Sequence, residues 1–96
     1  MIAVEYMYFV YVLFSKADRK LYVGYSHDVF KRFDQHRSGQ SKATKDRRPL
    51  ELIYYEAYLN EEEAKRRERY LKGGNGRAVL KIQLFETLNS RGYACL

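Results

Sequence analysis

The chain carries an unbroken apolar and aromatic run near its start, YMYFVYVLF at residues 6–14, the pattern of a strand covered on both faces. The polar stretch Ser15 to Arg19 suits a hairpin loop, and KLYVGY at residues 20–25 gives a second strand antiparallel to the first. Ser26 or Asp28 can then cap a helix over about 28–38, ended by Ser38 and Gly39. A polar, basic loop runs to Pro49, and LELIYYEAY at residues 50–58 returns to the strand pattern. Asn60 and Glu63 have the spacing of a capping box and predict a helix over about 61–72, closed by Gly73 and Gly74. From Arg77 to about Leu88, the apolar set Val79, Leu80, Ile82, Leu84, Phe85 and Leu88 covers more than one stripe and predicts a well-buried third helix. The order β-β-α-β-α-α predicts an α+β domain with helices packed on a small, mostly antiparallel sheet.

Composition narrows this picture. A length of 96 residues suits one domain, 1–96 with a core over about 6–88, and leaves little room for a second module. No apolar run approaches the roughly 20 residues of a membrane helix, and no basic amphipathic helix with a bulky apolar face suggests a membrane surface. The N-terminal stretch has an acidic Glu5 and no basic n-region, so secretion is not expected. The single cysteine, Cys95, allows neither an internal disulfide nor a cysteine zinc cluster, which fits a reducing cytoplasm.

Charge changes the picture more. The net charge is +6, and residues 31–48 hold Lys31, Arg32, Arg37, Lys42, Lys45, Arg47 and Arg48 against Asp34 and Asp46, five of the six net charges. Such a patch suits a polyanion, DNA or RNA, because phosphate neutralisation supplies most non-specific binding energy. A solvated loop that merely aids solubility has the same composition.

Three features bear on chemistry. Arg32 and His36 are four apart and share a face of the first helix, while Phe30 and Phe33 point to another sector and are expected in the core. On the second helix Glu68 interrupts the apolar stripe of Ala64 and Leu71; a buried carboxylate needs a cation, either an arginine such as Arg67 or a hard ion such as Mg²⁺. Eight of the ten tyrosines, Tyr6, Tyr8, Tyr11, Tyr22, Tyr25, Tyr54, Tyr55 and Tyr58, fall in or beside strands. Most serve the core, but a phenol beside cations or a metal-bound water has its pKa drawn down toward use as a base.

These residues fall in a known order. VYV at 10–12, YVG at 22–24, Arg32 eight residues after the glycine and His36 four further on resemble the signature of the GIY-YIG nucleases. PLELIYYEAY, EEEAKRRERYLK and GNGR look like the later segments of small stand-alone members, so the resemblance spans about residues 6–85. It implies a three-stranded antiparallel sheet flanked by helices and a divalent-metal-dependent endonuclease, with DNA expected ahead of RNA; one small basic face without a helix-turn-helix or zinc finger predicts low sequence specificity, and no membrane or obligate protein partner is expected. Tyr11 and Tyr22 would stand at the catalytic centre, one helping to activate water. Gly24 would allow close packing, Arg32 would bind the scissile phosphate, His36 would serve the proton network, and Glu68 would hold one Mg²⁺ or Mn²⁺. Lys31, Arg37, Lys42, Lys45, Arg47 and Arg48 would bind substrate backbone.

The chain also departs from the family pattern. Val10 and Val12 replace the glycine and isoleucine of the first motif, and Tyr25 stands where some members place a lysine. Asn75 is a candidate for a late asparagine near the metal, though a turn residue between two glycines has the same appearance. Two rivals remain: a nucleic-acid-binding module without turnover, and a protein-interaction domain with Glu68 salt-bridged in its core.

Overall fold

The computed structural model describes residues 7–93, so Tyr6 and Cys95 lie outside it. Strands β1 (Tyr8–Ser15), β2 (Leu21–Ser26) and β3 (Leu50–Tyr58) form one antiparallel sheet in the order β2-β1-β3. The unbroken apolar run of β1 is explained by its place: it is the central strand and is buried on both faces. Alternation divides its side chains between two cores. Val10, Val12 and Phe14 meet Ala64, Leu71, Leu80 and Leu88 on one face, whereas Phe9, Tyr11 and Leu13 meet Val29, Tyr22 and Phe33 on the other.

Helix α1 (Val29–Arg37) covers the second face, and α2 (Glu61–Lys72), α3 (Gly74–Gln83) and α4 (Phe85–Ser90) cover the first. Capping chemistry fixes where α1 and α2 begin. The Asp28 carboxylate accepts from the Lys31 backbone N–H at 3.1 Å, and the Asn60 side-chain oxygen accepts from the Glu63 N–H at 3.1 Å, each satisfying an orphan donor of the first turn. Gly39, with φ of 86°, turns the chain out of α1.

Two expectations fail for reasons visible in the packing. The third helix begins at Gly74 and breaks at Leu84 into α3 and α4. Of the predicted apolar set only Leu80 and Leu88 are fully buried; Val79, Ile82 and Phe85 face outward, so the wide set reflects an exposed sector. Phe30 is likewise outside the core, because Val29, Phe33 and His36 occupy the inward stripe of α1 and Phe30 falls beside it.

Candidate active site

The cross-strand register sets up the site. Tyr11 stands between Gly24 on β2 and Tyr55 on β3, so the three positions form one row across the sheet. Gly24 has no side chain, and the Tyr11 ring lies over it: a Cβ there would come within 2.3 Å of the ring carbon bearing the hydroxyl. The glycine therefore makes room for the tyrosine of the neighbouring strand, not for a turn.

At the end of that ring the Tyr11 hydroxyl lies 2.7 Å from His36 Nε2, and His36 Nδ1 lies 2.7 Å from the Thr44 hydroxyl. All three residues are buried. Burial and the nearby Arg32 charge push the His36 pKa down to about 4, so the ring is neutral at pH 7. A neutral imidazole has one donor and one acceptor nitrogen, while each hydroxyl can play either part. The proton chain can thus run from Tyr11 through His36 to Thr44 or back.

The Tyr11 hydroxyl is also where the other groups meet. Its pKa is raised to about 12, chiefly by burial and then by Tyr22 and Glu68, while the Arg32 guanidinium pulls it the other way. This reverses the expected lowering: desolvation outweighs the one cation that faces the phenol in the free protein. Tyr22 packs against His36 with ring centroids 5.1 Å apart and is only partly buried. Arg32 is half-buried and donates to Gln35 Oε1 at 2.8 Å. Tyr11, Tyr22 and His36 are thus drawn from β1, β2 and α1 to one place, where the charges of Arg32 and of Glu68 on α2 are felt.

Glu68 is neutralised by Lys72 at 3.0 Å, not by Arg67, which instead forks onto Glu56 at 3.0 Å with both nitrogens. The helix explains the exchange: residue 72 lies one turn from 68, whereas residue 67 projects about 100° away. With side chains 20% and 50% exposed, the Glu68–Lys72 pair is a weak partly solvated contact that a dication can displace. Among the described residues no group of three or more His, Cys, Asp or Glu side chains is placed to hold a metal. Glu68 would be a lone carboxylate donor, the kind that Mg²⁺ or Mn²⁺ take, since these ions keep most of their water and need one carboxylate plus substrate phosphate.

Comparison with known proteins gives the same order of residues a family. Residues 7–81 match the GIY-YIG catalytic domain. The chain belongs to the GIY-YIG family. A UPF0213 protein of Staphylococcus saprophyticus is 38% identical over 78% of this chain and 92% of its own, and one from Staphylococcus aureus is 44% identical over 68% and 79%. A UPF0213 protein of Bacillus halodurans, solved by solution NMR, is 34% identical with a TM-score of 0.49, covering 77% of this chain and 81% of that one.

The basic residues of this GIY-YIG chain divide. Arg37, Lys45 and Arg48 are exposed and line a common shallow groove beyond the end of α1. Lys31 and Lys42 are exposed separately. Arg47 is not available in the same way: it donates to Asp18 at 2.6 Å and to the Leu21 carbonyl at 3.4 Å, pinning the loop to the β1–β2 hairpin. Asn75 is exposed in the first turn of α3. Tyr25, in the position of the missing lysine, donates to Glu61 at 2.7 Å.

Thr44 is the site residue that sequence reasoning missed. A threonine among five cations reads as solvated loop, and only the fold puts it under the helix that carries His36. We expect Thr44→Val to leave His36 Nδ1 unpaired and to destabilise the protein by about 1–3 kcal/mol, with Thr44→Ser restoring most of it in thermal unfolding. Unfolding of Thr44→Val at the wild-type temperature would refute the His36–Thr44 hydrogen bond.

His36 also predicts an acid response. Unfolded, its pKa returns to about 6.5, so the unfolded state binds the extra proton first as pH falls. The stability supplied by the neutral ring is therefore complete above about pH 6.5 and declines until pH reaches the folded value of about 4, a loss on the order of 3 kcal/mol. Denaturant titrations between those limits should show this slope in wild type and a shallower one in His36→Gln; equal slopes would count against it.

Proposed function

We propose that this GIY-YIG protein hydrolyses phosphodiester bonds of nucleic acid with one Mg²⁺ or Mn²⁺ held at Glu68. The observation that carries this reading is the cluster of Tyr11, His36 and Tyr22, with Arg32 and Glu68 near enough for their charges to act on the Tyr11 hydroxyl. Simple phosphate binding needs the arginine but has no use for an adjacent half-buried carboxylate.

The parts differ in what they can touch. Tyr11 is buried and its hydroxyl is engaged by His36, so it positions its neighbours. Tyr22 is partly exposed beside them and is the tyrosine that meets the attacking water, since a base must reach the proton it takes. Arg32 faces the non-bridging oxygens, where charge builds as the phosphorus becomes five-coordinate. A bound dication would add Lewis-acid stabilisation of the same charge and lower the pKa of a coordinated water. His36, neutral and joined to Thr44, fixes the orientation of the Tyr11 hydroxyl through a hydrogen bond without burying a charged ring.

A backbone lacking a 2′-hydroxyl needs an external nucleophile, and the site has groups to orient one, so DNA is the first substrate to test. Labelled DNA and RNA, single-stranded, duplex and branched, incubated with Mg²⁺, Mn²⁺ or EDTA should show metal-dependent cutting. Binding without cutting in every condition would favour the non-catalytic module instead.

A further inference from the structure

On the flank of α1 away from Arg32, the start of the helix and the middle of β3 enclose a cleft of about 320 Å³. Its walls are aromatic. Phe30 is 60% exposed and Tyr55 44% exposed, and their rings stand 5.9 Å apart at 82°. Phe9 backs Tyr55 from inside at 5.6 Å and 71°, which holds the corner in shape. Lone exposed apolar residues need no explanation. Here two rings meet at a right angle, leaving one face to receive a flat aromatic ligand and the other ring to meet its edge.

The surroundings say which ligand. Lys31 and His27 flank the rings, and the one acid of the cleft, Asp28, is engaged in capping the Lys31 N–H. The cleft thus sets aromatic faces beside the exposed Lys31 ammonium, and aromatic faces next to a cation are the combination that holds single-stranded nucleic acid. Phe30, Lys31 and Arg32 are consecutive on α1, so they lie about 100° apart around a helix about 10–12 Å wide. Arg32 and Phe30 therefore stand about 200° apart with Lys31 between them, so a backbone held at Arg32 crosses over Lys31 and brings a base further along the strand to Phe30. Tyr55 ties the cleft to the centre from below, being the cross-strand partner of Tyr11.

We propose that Phe30 and Tyr55 form a stacking subsite for one unpaired nucleobase of the strand whose phosphate Arg32 holds. This rests on the nucleic-acid substrate of the proposed function. The base is held by ring contact without sequence reading, because every base offers a π-face.

The test is binding of a labelled single-stranded oligonucleotide in EDTA, by anisotropy, to wild type, Phe30→Ala and Phe30→Trp. Phe30→Ala should bind about ten-fold more weakly and Phe30→Trp about as well as wild type. A single abasic site walked along the strand should weaken wild type at one position and erase the difference from Phe30→Ala there. Equal binding by Phe30→Ala, or a deficit indifferent to the abasic position, would overturn the subsite. So would a wild-type dimer that Phe30→Ala dissociates in sedimentation, which would make a second copy the occupant. Phe30-dependent binding without cleavage under Mg²⁺ would defeat the nuclease reading alone, and cleavage with Phe30-independent binding would defeat this subsite alone.

Discussion

Arg32→Ala is expected to lower cleavage by about 100-fold or more at saturating substrate, the usual effect of removing one preorganised group from a developing oxyanion. The side chain is half-buried in the first turns of α1 and makes one side-chain hydrogen bond, to Gln35, so its removal leaves the core untouched. Glu68→Gln should be at least as damaging, for a different reason. It keeps the shape, loses the negative charge that a dication needs, and leaves Lys72 without its partner. The two defects are separable. Raising Mg²⁺ or Mn²⁺ should recover part of the Glu68→Gln activity and none of the Arg32→Ala activity. Metal-dependent cutting at wild-type rates by both variants would remove Arg32 and Glu68 from the site. Circular dichroism on each variant distinguishes loss of chemistry from loss of fold.

Elements whose signal is local were legible before the fold was known. The ranges of β3 and α2 follow from a strand-like run and from Asn60, and the structure places them at Leu50–Tyr58 and Glu61–Lys72. The three-stranded antiparallel sheet and the membership of the GIY-YIG family also follow from residues in order. What was not legible depends on partners distant in sequence. Arg67 reads from the sequence as a candidate partner of Glu68, and helix phase instead sends Glu68 to Lys72 and Arg67 to Glu56. Phe30 and Phe33 look equivalent in composition, yet one is packed and the other exposed. The direction of the Tyr11 pKa shift could not be foreseen either, since it follows from how much water the fold excludes. Arg47 shows the same limit: its charge is counted in the basic patch, but its side chain is committed to Asp18.

Gly24→Ala should have the second large effect, acting through Tyr11. The new methyl would fall 2.3 Å from the Tyr11 hydroxyl oxygen and from the ring carbon that bears it, far inside contact distance. Strand pairing fixes the backbone on both sides, with Tyr11 central and opposite Gly24, so the ring must yield. Its hydroxyl then leaves His36, and the His36–Thr44 contact loses the partner that gives it a use. Overpacking of a buried site costs about 1–3 kcal/mol, and displacing a positioning group by about 1 Å costs on the order of 100-fold in rate. Both should be measured on the same sample. Gly74→Ala is the control, because nothing lies within 4 Å of a Cβ there and alanine suits a helix. If Gly24→Ala unfolds at the wild-type temperature and cleaves at the wild-type rate, Tyr11 is not held where the chemistry occurs. A loss of rate larger than the loss of stability would instead show that the glycine of the second motif is there to let one tyrosine lie across its neighbouring strand.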